Sequence, residues 1–212
     1  MFKWILTALC TISSLVVCLP KYIAGNRTQR LMWKFSGTAS ALPLAIYGAT
    51  KHGGTTWLCV LAIALCAGAD VVLEKNFLAG MAMFASAHIC LIIWMLSVKP
   101  LGIVQLIAWA VLLCAVAVLL YSWRKMIGDM MLPFAAYAVL ISLMGACAVG
   151  AASKGTLGGI LAAVGALMFI VSDTLVCKGR IMRVDRMHHW ITMGLYYGAQ
   201  LFFAAGAVVG LK

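Results

Sequence analysis

Acidic side chains are scarce in this chain. Five Asp and Glu residues occur among 212, against sixteen Lys and Arg, and charged residues make up 10% of the sequence. A soluble domain carries about 25% charged residues and about 45–50% apolar residues, whereas this chain is 65% hydrophobic. The composition therefore excludes an ordinary soluble domain. It also makes each acid inside an apolar segment significant, because an intramembrane carboxylate costs free energy and usually has a partner.

Several motifs that would indicate particular chemistries are missing as well. None of the eight cysteines forms a CxxC pair, no His/Asp/Glu spacing resembles a zinc motif, and no G-x-S-x-G elbow occurs. We interpret the cysteines, which lie within or at the ends of apolar runs, as small hydrophobes in helix contacts. We predict no metal site and no cofactor, and a serine-hydrolase mechanism is disfavoured.

Eight long apolar runs dominate what is present. They cover residues 2–20, 32–50, 55–74, 77–97, 101–121, 131–151, 156–177 and 189–210. Runs of about 20 residues match the length that a helix needs to cross a bilayer, and their continuity favours helices over alternating barrel strands. The first run ends without a small-x-small cleavage site, so we interpret it as a span and not as a signal peptide. The sequence predicts an all-α polytopic membrane protein, in which residues 1–212 form a single domain, a bundle of eight transmembrane helices.

Basic residues divide unequally between the two ends of such a bundle. One side has eleven: Lys21, Arg27, Arg30, Lys34, Lys75, Arg124, Lys125, Lys178, Arg180, Arg183 and Arg186. The other side has five: Lys3, Lys51, Lys99, Lys154 and Lys212. Because Lys and Arg accumulate in cytoplasmic loops, the basic side is expected to be cytoplasmic and both termini external, most simply in the cell membrane. The net charge of +11 then reflects contact with anionic headgroups, and no nucleic-acid partner is predicted.

All five acids fall on the basic side, and Asp70 and Asp173 are the sharpest of them. Each lies within about one turn of the end of a span and has a Lys five residues later, namely Lys75 and Lys178. A four-plus-four duplication and a chance similarity both explain this repeat. Two carboxyl groups in a partly dry site can differ in protonation, so that one acts as acid and the other as base. A structural ion pair is the alternative for each. Glu74, one turn beyond Asp70, is expected at the interface.

Other polar side chains stand inside apolar runs. His88, near the middle of its span, can form a helix–helix hydrogen bond, relay protons or orient a carboxylate. Lys34 can extend to the headgroups, pair with an acid or bind a phosphate. The remaining members of this group are Tyr137, Ser172, Tyr196, Tyr197 and Gln200. Hydrogen bonds between helices explain most such groups in membrane proteins.

These residues, in this order, resemble the lysoplasmalogenase-like (YhhN) membrane protein family from about Lys34 to Gly206. The strongest match combines Asp70 with a set in the next span: Phe77, Gly80, Phe84 and His88. Later spans match at Pro133, Tyr137, Met144, Gly165, Phe169, Ser172, Asp173, Tyr196, Tyr197 and Gln200. Two positions depart from the family pattern. Ala69 precedes the first acid where Gly is common, and Phe35 follows Lys34 where the family has Pro.

The resemblance implies an eight-helix hydrolase that cleaves the vinyl-ether bond of lysoplasmalogens, giving a fatty aldehyde and a glycerophospho-headgroup compound. It implies Asp70 and Asp173 as the catalytic acid and base, a lysophospholipid substrate and surrounding membrane lipids as partners. The supporting or substrate-binding residues would be Lys34, His88, Tyr137, Ser172, Tyr196, Tyr197 and Gln200. The residue patterns alone fit a transporter as well as they fit a hydrolase: a lipid or small-solute transporter would use the buried acids for coupling. A third hypothesis is a membrane scaffold in which all the polar groups are structural. The resemblance favours the hydrolase.

Reporter fusions test the predicted orientation. A reporter active only outside the cytoplasm should be active when fused after Lys212, because eight crossings return the chain to the external side. The same reporter fused after Lys75, in the link between the third and fourth spans, should be inactive and serves as the matched control. Activity of a cytoplasm-dependent reporter at Lys212 would refute the orientation.

Overall fold

The computed structural model describes residues 2–211, and the regular structure within them is entirely helical. The helices are α1 (Phe2–Ala24), α2 (Arg27–Ala39), α3 (Leu42–His52), α4 (Trp57–Lys75), α5 (Phe77–Leu96), α6 (Ile103–Ile127), α7 (Met131–Ala152), α8 (Leu157–Ile181) and α9 (Arg186–Val209). This confirms the all-α class. Lys212, which entered the count of basic residues, lies outside the described range.

Six stretches are long and apolar enough to cross a membrane. They are Phe2–Ala24, Gly54–Lys75, Phe77–Leu96, Ile103–Ala152, Leu157–Ile181 and Arg186–Val209. The longest of them turns at Gly128, which has a φ of 56°, and its two halves, α6 and α7, pack against each other. The described part of the chain therefore contains seven helices of spanning length.

The predicted count of eight is not confirmed, because the second predicted span is two short helices, α2 and α3. Pro43 stands in the first turn of α3, where its missing N–H is tolerated, but a helix cannot run through it unchanged. The carbonyl of Gly37, near the end of α2, accepts hydrogen bonds from Ser14 Oγ (2.7 Å) and Ser40 Oγ (2.8 Å). Ser14 belongs to a π-helical segment of α1, Ile12–Cys18. The interruption is thus stabilised by side-chain hydroxyls from both sides.

Helix α9 occupies the centre of the bundle, where it packs against α8, α3, α4 and α1. Small residues allow this close approach. A side chain at Gly158 of α8 would collide with the carbonyl oxygen of Gly210, and one at Gly159 would collide with that of Ala151. Gly158 and Gly159 therefore permit close contact between helices. Helix α6 lies at the periphery, packs chiefly against α7, and buries few of its side chains.

Candidate active site

A cavity of about 100 Å³ opens at the end of the bundle where α4, α6 and α8 end and α5, α7 and α9 begin. Its walls are largely apolar. Helix α5 contributes Phe77, Met81 and Phe84, and α6 contributes Val116, Leu119, Leu120 and Trp123. The polar groups in its lining include Lys34, Asp70, Tyr137, Ser172, Asp173 and Tyr196. Both predicted acids therefore line one cavity, as their matching positions near span ends suggested.

Asp70, on α4, is completely buried and surrounded by donors. Its Oδ2 accepts hydrogen bonds from Thr38 Oγ1 at 2.5 Å and from the Tyr196 hydroxyl at 3.0 Å. Its Oδ1 lies 3.7 Å from Lys34 Nζ and accepts no hydrogen bond from residues 2–211. A nearby cation and hydroxyl donors favour the ionised carboxylate, whereas complete burial opposes it. Asp70 therefore depends on Lys34 for its counter-charge.

Lys34 is also buried, and it stands between two carboxylates. Its Nζ lies 3.7 Å from Asp70 Oδ1 and 3.6 Å from Glu74 Oε1, while the side chain is 9% exposed. Of the three roles that the sequence left open for Lys34, the structure shows pairing with an acid. Glu74 is half-exposed, as expected for an interfacial residue, and it also contributes to neutralising Lys34.

Asp173, on α8, has different surroundings. Its side chain is 16% exposed, and its Oδ2 accepts a hydrogen bond from the hydroxyl of Tyr137 on α7. The Tyr137 oxygen lies 2.8 Å from His88 Nε2 on α5. Because the single hydroxyl proton is directed at Asp173, we assign the Nε2–H tautomer to His88, with Nε2–H donating to the Tyr137 oxygen. His88 Nδ1 has no partner among the described residues, and Nε2 also lies 3.8 Å from Asp173 Oδ2.

An aromatic layer closes the inner end of the cavity between the two acids. The ring of Phe169 stacks edge-on against His88 at 4.8 Å, against Tyr196 at 5.6 Å and against Phe84 at 6.2 Å between centroids. These contacts fix the rings that carry the polar groups of both acid clusters. Phe84 and Phe169 are among the residues that carried the family resemblance, and their packing gives that match a physical reason.

Two predicted supporting residues, Ser172 and Tyr197, have mainly structural contacts, and a third, Gln200, lies away from the cavity. Ser172 lies in the cavity lining, but its hydroxyl donates to the Thr192 carbonyl (3.1 Å) and so ties α8 to α9. Tyr197 donates to the carbonyl of Trp33 (3.2 Å), which holds α2 against α9. Tyr197 and Gln200 are both buried outside the cavity lining. The structure thus brings Lys34, His88, Tyr137 and Tyr196 to the acids, and it does not bring Tyr197 or Gln200 to the cavity.

Thr38 is the contact that sequence reasoning missed. It is fully buried, and its 2.5 Å hydrogen bond to Asp70 is shorter than the 3.0 Å bond from Tyr196. Thr38 follows Lys34 by four residues, so the two share one face of α2. The four-residue spacing is visible in the sequence. Because Lys34 and Thr38 lie one turn apart on the same helix face, an acid that pairs with Lys34 can also accept a hydrogen bond from Thr38.

Replacement of Lys34 tests the buried ion pair. Lys34→Met should lower the free energy of unfolding by about 3 kcal/mol, because the carboxylate of Asp70 loses its counter-charge in a dry site. The double variant Lys34→Met/Asp70→Asn should recover much of that loss. Reversible unfolding in mixed detergent micelles, followed by tryptophan fluorescence, gives both values. Lys75→Met, at an exposed Lys of the same bundle end, is the control. A double variant no more stable than Lys34→Met alone would contradict the pairing.

Comparison with known proteins identifies a family for this chain. The chain matches the YhhN family over residues 29–207. It is 29% identical over 179 residues to "Lysoplasmalogenase TMEM86B" of Rattus norvegicus, which covers 81% of this chain and 71% of that protein. It is 30% identical over 189 residues to "Lysoplasmalogenase TMEM86B" of Homo sapiens, covering 85% of this chain and 78% of that protein. No solved structure matches the chain. Since the family match extends over most of its length, the chain belongs to the YhhN family.

Proposed function

We propose that this protein hydrolyses the vinyl-ether bond of lysoplasmalogens, releasing a fatty aldehyde and a glycerophospho-headgroup compound. The observation that carries the proposal is one largely apolar cavity lined by two carboxyl groups with different surroundings. An apolar wall suits an alkenyl chain, and paired carboxyl groups suit an acid-labile ether. The curated relatives named lysoplasmalogenase favour hydrolysis over transport.

The two acids have different roles in this proposal. Asp173 is the proton donor, because it is the more exposed of the two to the cavity and its hydrogen-bond partner is the hydroxyl of Tyr137, which carries no charge. Its proton goes to the vinyl carbon remote from the ether oxygen, which leaves an oxocarbenium ion. Asp70, an anion held by Lys34, Thr38 and Tyr196, stabilises that cation through its charge.

Water completes the reaction. Asp173, now ionised, accepts a proton from the water that attacks the oxocarbenium carbon, and this restores its acid form. The resulting hemiacetal breaks its bond to the glycerol oxygen and yields the aldehyde and the free hydroxyl. Tyr137 and His88 keep the Asp173 carboxyl oriented during both proton transfers.

The substrate chain enters from the lipid in this proposal. Helix α6 forms part of the cavity wall through Val116, Leu119, Leu120 and Trp123, yet it packs chiefly against α7. An alkenyl chain can therefore reach the cavity from the bilayer along α6 without crossing the tightly packed α8–α9 side. This matches a substrate that is itself a membrane lipid.

The two short helices complete the membrane topology that we propose. Residues 27–52, which include α2 and α3, would span roughly 39 Å at about 1.5 Å per residue, enough for the ~30 Å hydrocarbon core. Together the two helices would cross the membrane once, which would bring the single bundle domain to eight crossings. The cavity end would face the cytoplasm in the cell membrane, on the side that is rich in Lys and Arg.

Charge removal at each acid tests the mechanism. Asp70→Asn and Asp173→Asn should each reduce aldehyde release from an alkenyl lysophospholipid at least about 100-fold, because general acid–base and charge stabilisation each contribute on that scale. Aldehyde is measured by coupled reduction, and circular dichroism establishes that each variant is folded. Asp129→Asn, at an exposed acid in the turn between α6 and α7, should retain wild-type turnover. Near-wild-type turnover in either cavity variant would end the two-carboxylate mechanism.

Isotope labelling tests where the proton goes. When the reaction runs in D₂O, the aldehyde should carry a single deuterium on the carbon next to the carbonyl, because protonation at carbon starts the reaction. Immediate reduction to the alcohol prevents later exchange, and mass spectrometry locates the label. A pre-formed unlabelled aldehyde incubated with the protein in D₂O controls for exchange. An aldehyde released without deuterium would exclude protonation at carbon.

A further inference from the structure

The buried lysine of the site is not available to bind a substrate phosphate. Lys34 lies within 4 Å of two carboxylates and is 9% exposed in its side chain. A phosphate placed against Lys34 would also meet the negative charges of Asp70 and Glu74. If the substrate is a lysophospholipid, as the proposed function holds, its phosphate therefore needs another cation at the cavity mouth.

Arg180 stands at that mouth. It lies in the last turn of α8, and its guanidinium is stacked over the ring of Phe77, with 5.0 Å between Cζ and the ring centroid. Phe77 is itself part of the cavity wall. Arg180 is exposed, and no carboxylate of residues 2–211 lies within ion-pairing distance of it. Its N–H donors are therefore free for a ligand.

The spacing along α8 also fits. Arg180 follows Asp173 by seven residues, which places it two turns further toward the membrane surface on the same helix face, roughly 10 Å away along the axis. An extended glycerophosphate unit can bridge such a separation. The reacting bond would then lie at Asp173 while the phosphate lies near Arg180.

Other stacked cations in the protein lack this connection to the cavity. Within the described residues, four more cation–ring pairs occur: Lys3 on Trp4, Lys21 on Trp33, Arg30 on Tyr22 and Arg124 on Tyr121. None of these four rings is part of the cavity lining. Among the stacked cations, Arg180 is thus distinguished by its contact with the cavity wall.

We propose that Arg180 binds the phosphate of the lysophospholipid substrate and so determines specificity for phosphate-bearing alkenyl lipids. Guanidinium groups suit this role because their planar fork binds phosphate through two parallel hydrogen bonds. Stacking on Phe77 holds the plane of the guanidinium in place before the lipid arrives. Arg180 is a binding residue in this proposal and takes no part in the proton transfers.

Two substrates and two variants test the proposal. Arg180→Gln should raise KM for a 1-alkenyl lysophospholipid about tenfold, the scale of one lost charge-assisted interaction, with kcat nearly unchanged. Turnover of 1-alkenylglycerol, which has no phosphate, should stay at the wild-type level. Arg124→Gln is the matched control, because Arg124 is also exposed and is stacked 3.8 Å from the ring centroid of Tyr121 at the end of α6. It should leave KM and turnover unchanged for both substrates.

Two results would overturn the phosphate site. One is a wild-type KM for the lysophospholipid in Arg180→Gln, and the other is an equal loss for both substrates, which would indicate a structural role. If Arg124→Gln raised KM for the lysophospholipid as much as Arg180→Gln, the cause would be nonspecific attraction of the anionic substrate to basic residues at the membrane surface. That result would also refute the site.

A binding measurement separates this inference from the proposed function. Equilibrium dialysis with an uncleavable 1-alkyl lysophospholipid should show Kd raised about tenfold by Arg180→Gln and unchanged by Arg124→Gln. This comparison needs no turnover. If wild-type protein releases no aldehyde but the Kd difference is found, the hydrolase proposal fails and the phosphate site stands; an unchanged Kd in Arg180→Gln refutes the site whatever the turnover.

Discussion

The buried contact between Lys34 and Asp70 is the interaction on which the polar end of the bundle depends. A carboxylate in a membrane protein's interior is stable only with a counter-charge and donors around it. Helix α2 supplies both, since Lys34 and Thr38 are one turn apart on the face that meets α4. The pair therefore fixes the position of α2 against α4. Helix α2 ends soon after Thr38, and the freed carbonyl of Gly37 is satisfied by Ser14 and Ser40.

The same contact makes the two acids unequal. Asp70 has a lysine as its counter-charge, whereas Asp173 accepts a hydrogen bond from a tyrosine that is itself bonded to a histidine. The aromatic layer formed by Phe84, Phe169 and Tyr196 packs between the polar clusters of the two acids. Two carboxyl groups of similar chemistry can then hold different protonation states in one cavity, which is the condition for acid catalysis beside a stabilising negative charge.

Much of the architecture could be predicted from the sequence because hydropathy and length alone decide whether a segment suits a bilayer. The ends of α4, α5, α7 and α8 lie close to the predicted boundaries. Hydropathy does not reveal an interruption inside an apolar run, so the division of the second span into α2 and α3 was not foreseen. The effect of Pro43 depends on a hydroxyl partner from α1, which lies far away in sequence.

The site shows the same limit at the level of residues. Asp70 and Asp173 could be identified as a pair because buried acids are rare and these two occupy matching positions. The contacts that distinguish them come from other helices: Thr38 and Lys34 from α2, Tyr137 from α7. Tyr197 and Gln200 have the same polar-in-apolar pattern as Tyr196, yet only Tyr196 reaches an acid. Which face of a helix meets the cavity is set by packing, which one sequence does not specify.

The two sides of the cavity differ in how firmly they are held, and this bears on selectivity. The two acids stand on α4 and α8, and Tyr196 stands on α9; α8 and α9 pack closely through glycines, whereas α6 lies at the periphery. A rigid polar side holds reacting groups within the narrow limits that proton transfer requires. An apolar wall on a peripheral helix can adjust to chains of different length. Under the proposed function, such a cavity would be selective for the vinyl-ether bond and the groups next to it. It would tolerate alkenyl tails of different length, as expected of an enzyme that acts on a class of lipids.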